Sequence, residues 1–144
     1  MTIVASIVSV MFVLLAILHV YWAAGGRAGI EKVIPQVEGK PAITPGKIIT
    51  LGVAMGLMGV ASVAYALGNV DLTSYLMGDY VIYAGWFLAL IFFIRAVGDF
   101  NLVGFFKKYK GSDFATYDSR YYSPFCLLVS IVFVFLVTSG QVVE

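Results

Sequence analysis

Every one of the nine Lys and Arg residues falls in, or at the edge of, two alternate connections between four long apolar segments, and this limits the fold more than any other feature. Arg27, Lys32, Lys40 and Lys47 follow the first segment. Arg95, Lys107, Lys108, Lys110 and Arg120 close or follow the third. A chain threaded back and forth across a bilayer through these segments places all nine on one face, and Lys and Arg in short loops mark the cytoplasmic side. The opposite face carries only Asp71, Asp79 and Glu144, with the amino terminus as its one positive group. The expectation is an all-α membrane protein, a compact bundle of four transmembrane helices with both termini on the extracytoplasmic side.

Composition agrees with that class. Apolar residues make up 61% of the chain and charged residues 12%, against about 45 to 50% and about 25% in soluble domains. Spans of about 20 residues fit four times into 144 residues with no room for a separate soluble module. The spans expected are 3–24, 48–67, 80–98 and 123–140, forming a single domain. Nucleic-acid binding is disfavoured, because the basic residues are dispersed among aromatics and acids instead of forming a stripe. Cys126 is the only cysteine, which excludes an intrachain disulfide and Cys-pair metal or redox motifs. No metal site is expected, and no motif indicates a cofactor.

The first span, 3–24, has no Lys or Arg before it and exceeds the apolar core of a signal peptide, so it reads as a membrane helix. In the second, Gly52, Gly56 and Gly59 continue through Ser62 and Ala66 as a small-residue surface of the kind that lets backbones approach in lipid. Packing inside the bundle is the expected use of that surface, ahead of a homo-oligomer interface. The third span opens with Tyr80, Tyr83 and Trp86, an aromatic collar for the outer interface, and ends on Arg95 roughly 22 Å further in. The fourth opens with Ser123-Pro124, proline being suited to a helix start, and Ser123, Cys126 and Ser130 form a polar seam expected to face neighbouring helices.

In the loops, Gly25-Gly26 ends the first helix, 27–33 suits a short interfacial helix, and Pro35, Pro41 and Pro45 predict irregular chain. Between the third and fourth spans, Phe105, Phe106, Tyr109, Phe114 and Tyr117 alternate with Lys107, Lys108 and Lys110, which suits a segment lying among anionic headgroups.

Polar residues gather at one membrane level. His19, Tyr21 and Trp22 close the first span, with Arg27 just beyond; Arg95 and Asp99 close the third; Asp118, Tyr122, Ser123 and Cys126 lie at the opening of the fourth. Ionisable groups within the bilayer boundary call for partners. One reading pairs Arg95 with Asp99, about one helical turn away, and leaves His19 hydrogen-bonded inside the bundle. The other makes the cluster a ligand-binding pocket.

The same residues carry a family resemblance. His19-Val20-Tyr21-Trp22 with Gly25-Gly26, Arg95-Ala96-Val97-Gly98-Asp99-Phe100 with Gly104 and Phe106-Lys107, and Phe114, Asp118 and Tyr122-Ser123-Pro124 with Cys126 keep their order along the chain. This pattern resembles the small bacterial membrane proteins grouped as domain of unknown function 3995. The resemblance implies a four-span bacterial inner-membrane protein and carries no catalytic role.

Among function classes, a proton-coupled exporter lacks a carboxylate in the middle of any span, and a haem carrier lacks a second histidine beside His19. A membrane enzyme acting on an amphipathic substrate would use His19 as acid or base, Asp99 to orient it or to act as base, and Arg95 to hold an anionic headgroup. A non-enzymatic bundle that binds a lipid-like ligand or a partner membrane protein at the cytoplasmic leaflet ranks first.

Overall fold

A computed structural model describes residues 1–140; Glu144, counted above on the acidic face, lies outside the described residues. Four long helices dominate: α1 (Thr2–Ala23), α3 (Lys47–Asn69), α4 (Gly78–Val97) and α6 (Ser123–Gly140), with short helices α2 (Ile30–Val33) and α5 (Asp113–Tyr117) in the connections. All four long segments are apolar and long enough to cross a bilayer. The first three boundaries lie within two residues of the expected spans.

The helices pair as two antiparallel hairpins, α1 on α3 and α4 on α6, which then close on each other. Small residues permit the close approach within each pair. Ser9 donates to the Ala61 carbonyl at 2.9 Å across α1 and α3, and Ser130 donates to the Ala89 carbonyl at 2.7 Å across α4 and α6. The polar seam of Ser123, Cys126 and Ser130 is buried as expected. Between the hairpins sits a core of Val8, Phe12, Leu67, Phe133, Leu136 and Val137, with Phe92 stacked on Phe133 at 6.4 Å and tilted against Phe12 at 5.4 Å. The outward faces are apolar too: Ile3, Ile48, Phe87 and Ile131 are all exposed. Helices that show hydrocarbon on both faces have membrane-spanning character, and their internally bonded backbone is compatible with a lipid surround. Tyr80, Tyr83 and Trp86 are exposed at one end of this belt.

Three features differ from the sequence reading. Gly52, Gly56 and Gly59 face open space, and a methyl group added at any of them would touch nothing. The close-packed glycines are Gly68 against Ala5, Gly78 against the Leu72 carbonyl, and Gly85 against Val137 and Leu67. Helical periodicity located a small-residue face, but not the side of the helix that meets the bundle. Second, α6 opens at Ser123-Pro124 as expected, but not as a free helix start. The chain is helical from Asp113, and Pro124 is accommodated by a π-helical turn over Asp118–Tyr122 in which the Ser123 N–H reaches the Asp118 carbonyl. Widening the turn relieves the clash of the proline ring with the preceding turn. Third, the first connection is not wholly irregular. Gln36–Val37 pairs antiparallel with Lys40–Pro41 around Glu38 and Gly39, both at positive φ, as a two-residue hairpin turn of this kind requires.

Candidate functional site

Both basic connections fold back onto one end of the bundle. After α4, the Asp99 carboxylate accepts from the backbone N–H groups of Asn101, Leu102 and Val103 at 2.9, 2.7 and 3.0 Å, curling the chain into a tight loop. These three bonds, foremost the bond from Val103, hold the Asp99 carboxyl below its usual range against an opposing effect of burial. The loop returns so closely that Gly98 and Gly104 touch through their Cα atoms, each at positive φ, and a Cβ on either would collide with backbone. Phe105 N–H then donates to the Ala96 carbonyl at 2.9 Å, fixing the next residues beside the end of α4.

This return delivers Gly104 and Lys107 to Asp118. The carboxylate is fully buried; Oδ1 accepts from Arg95 Nη2 at 2.8 Å, and Oδ2 accepts from Lys107 Nζ at 3.0 Å and from Gly104 N–H at 2.8 Å. Lys107, 2% exposed, also donates to the Gly104 carbonyl at 2.8 Å and to Ser119 Oγ at 2.7 Å. Arg95 therefore pairs with Asp118, not with Asp99. Spacing along one helix favours the nearer carboxylate, but the helix ends at Val97 and the turn at Gly98 carries Asp99 away from the Arg95 face. Lys107 and Phe114, read above as headgroup-facing, are buried inside the protein. Among the described residues, two buried side-chain polar atoms have no partner, Arg95 Nη1 and Ser123 Oγ.

Beside this cluster lies a cavity of about 610 Å³. α1 contributes Leu15, Leu18, His19 and Trp22; α3 contributes Lys47, Thr50 and Val53; α4 contributes Arg95; α5 and α6 contribute Phe114 and Phe125, with Tyr122 between them. The segment 28–35, which includes α2, forms a further wall. It is tied down by Trp22 Nε1 donating to the Ala28 carbonyl at 2.9 Å, by Tyr122 Oη donating to the Lys32 carbonyl at 3.3 Å, and by the Lys32 ammonium over the Tyr117 ring at 5.1 Å. His19 Nδ1–H donates to the Leu15 carbonyl at 2.7 Å, which leaves Nε2 for a second partner, and its ring meets Trp22 edge-on at 5.0 Å.

Of the residues singled out from sequence, His19, Trp22, Arg95 and Tyr122 line the cavity. Asp118, Ser123 and Cys126 are buried outside its lining. Tyr21 covers the Gly25-Gly26 turn, where a side chain on Gly26 would strike its ring; Arg27 is exposed, and Asp99 organises the loop. Lys32, Lys47 and Thr50 line the cavity without having been picked out, because they fall on the short helix α2 and on the first turn of α3, whose orientations only the fold reveals. Among the described residues no group of His, Cys, Asp and Glu could hold a metal ion.

Fold and site together define a four-helix protein of membrane-spanning character, with an ion-bonded cluster and an adjoining cavity at one end. The family model for proteins of unknown function (DUF3995) matches residues 12–133, and the chain belongs to that family. No curated protein and no solved structure matches it.

Proposed function

We propose that this is a multi-pass protein of the bacterial inner membrane, its basic end in the cytoplasm and both termini outside, that binds a lipid-like or amphipathic molecule in the cavity at that end. The observation that carries this reading is the cavity itself. Its volume of about 610 Å³ falls within the range of about 300 to 1,000 Å³ common to ligand sites, and such sites combine apolar walls with a few placed polar groups. Its position fits a ligand arriving from the membrane, since Lys32 and Lys47 belong to the basic connection while Leu15, Leu18 and Val53 belong to apolar helices. Sidedness rests on the Lys and Arg distribution.

A membrane enzyme is the second reading, favoured by His19 on the cavity wall with Nδ1 anchored and Nε2 left for a partner. Asp99 does not support it as the residue orienting His19, because its carboxylate is engaged by its own loop.

Gently purified protein, analysed by native mass spectrometry and solvent extraction, is expected to retain a small amphipathic molecule. Recovery of bare protein alone, or of a bound membrane protein with the cavity empty, would replace this reading. For sidedness, single cysteines at Thr73 and Ser112 with Cys126 replaced are expected to differ in whole cells, Thr73 reacting with a membrane-impermeant thiol reagent and Ser112 not. Equal or inverted labelling would overturn the orientation.

A further inference from the structure

We infer that the cavity selects an amphiphile with an anionic head, a phosphate or carboxylate group seated among Arg95, Lys32 and Lys47; this deepens the ligand-binding reading above and rests on it. Two independent observations lead here. The first is the lining, which contains these three cations and no carboxylate. Glu31 and Glu38 lie in the same connection, yet neither lines the cavity.

The second is the charge of the buried cluster. Asp118 is a single carboxylate shared by two cations, Arg95 and Lys107. Lys107 is enclosed and bonded to three oxygens, so its requirements are met within the protein. Arg95 is the member that reaches the cavity: its side chain is 32% exposed and lines it, with Nη2 held by Asp118 and Nη1 buried without a partner among the described residues. The surplus positive charge is therefore carried to the cavity wall. Uncompensated charge at the membrane boundary is unfavourable, and charge-assisted bonds to a carboxylate or phosphate are the strongest available to a guanidinium. The rings of Trp22, Tyr122 and His19 border the same space, with the Trp22 and Tyr122 protons already given to backbone carbonyls, while Leu15, Leu18 and Val53 supply apolar wall.

The test uses full-length protein in phosphatidylcholine nanodiscs and a set of probes with one chain length: dodecyl phosphate, dodecanoate, the uncharged dodecyl maltoside and the cationic dodecyltrimethylammonium, with inorganic phosphate as a chainless control. Dodecyl phosphate or dodecanoate is expected to bind at least about tenfold more tightly than the uncharged probe, about 1.4 kcal/mol, and inorganic phosphate to bind far more weakly than either. Lys32→Gln combined with Lys47→Gln alters two exposed side chains outside the buried cluster, so the melting temperature is expected to fall only slightly, through the lost Lys32–Tyr117 contact, while the preference for the anionic probe falls severalfold and binding of the uncharged probe holds. Equal binding of charged and uncharged probes, with or without the variants, would overturn the anionic head while leaving an amphiphile site standing. Inorganic phosphate binding as tightly as dodecyl phosphate would overturn the amphiphile. Absence of binding by any probe would overturn this inference and the proposed function together.

Discussion

At the end of the bundle where α3 passes into α4, the helices meet with no tolerance: Gly68 lies against Ala5, Gly78 against the Leu72 carbonyl, and Gly85 against Val137 and Leu67. Thr2 and Ser6 of α1 reach the Gly68 carbonyl and Asn69 there, so helix contacts and hydrogen bonds reinforce each other. At the opposite end the same four helices border a cavity of about 610 Å³, and closure depends on two long connections, the second tied to the buried Asp118 carboxylate and the first to Trp22, Tyr122 and the Tyr117 ring. The contrast shows how a four-helix protein of membrane-spanning character can be tightly closed at one end and keep open space at the other. Apolar burial offers little driving force between helices in lipid, so rigidity comes from close backbone approach at one end and from internal ion pairing at the other. Only the second plan leaves room and charge for another molecule.

The largest expected effect falls on the ion-bonded end. Asp118→Ala leaves Lys107 and Arg95 without their counter-charge, and removing one member of a buried pair costs about 3 to 5 kcal/mol. Thermal unfolding in detergent should show a steep loss. Replacing all three charges together, Arg95→Met, Lys107→Met and Asp118→Leu, should recover much of it, because no buried charge is then left alone. If the triple variant is as unstable as Asp118→Ala, the cluster acts through the Gly104 loop and not through charge.

Core substitutions come next. Leu136 is fully buried between the hairpins, so Leu136→Ala should lower stability by about 2 to 5 kcal/mol. Leu18 already borders open space, and Leu18→Ala should be milder in the ligand-free protein. Equal losses at both sites would mean that the cavity is filled whenever the protein is folded.

Glycine replacements sharpen the comparison within a single helix. Gly68→Leu, which collides with Ala5, should destabilise by about 1 to 3 kcal/mol through overpacking, whereas Gly56→Leu should leave the monomer unaffected. Strong destabilisation by Gly56→Leu would reveal a contact made by that face outside the single chain.

These contrasts also explain what the sequence made legible. Long uncharged runs have a physical meaning that needs no neighbours, so α1, α3 and α4 could be bounded within two residues. Which face of α3 turns inward depends on every other helix, and there the glycine pattern pointed to the wrong face. The candidate site was legible in the same partial way. His19, Trp22, Arg95 and Tyr122 stood out as polar groups at one membrane level, and they do share a cavity. The partner of Arg95 did not stand out, because Asp118 is brought to it through the approach of Gly98 to Gly104, a long-range contact with no periodic trace in the chain. Lys107 read as a headgroup-facing lysine for the same reason.

The smallest expected effect compares the acidic turn at each end. Asp99 accepts from three backbone N–H groups, and Asp71 accepts from the Thr73 hydroxyl and N–H and the Ser74 hydroxyl, so hydrogen bonding lowers both carboxyl pKa values below the ordinary 3.8. A carboxyl whose pKa is lower in the folded state contributes stability that is fully present above its unfolded pKa and is lost as pH falls through the folded one. The destabilisation caused by Asp99→Asn should accordingly be constant near neutral pH and shrink once the pH drops below about 3.8, read as the difference in melting temperature from the parent. Asp71→Asn should follow the same curve with a smaller amplitude, because its turn closes a short exposed connection while the Asp99 loop positions Gly104 and Lys107 against Asp118. A pH-independent difference for Asp99→Asn would mean that the loop holds through the Gly98–Gly104 approach alone, with the carboxylate incidental to the cluster.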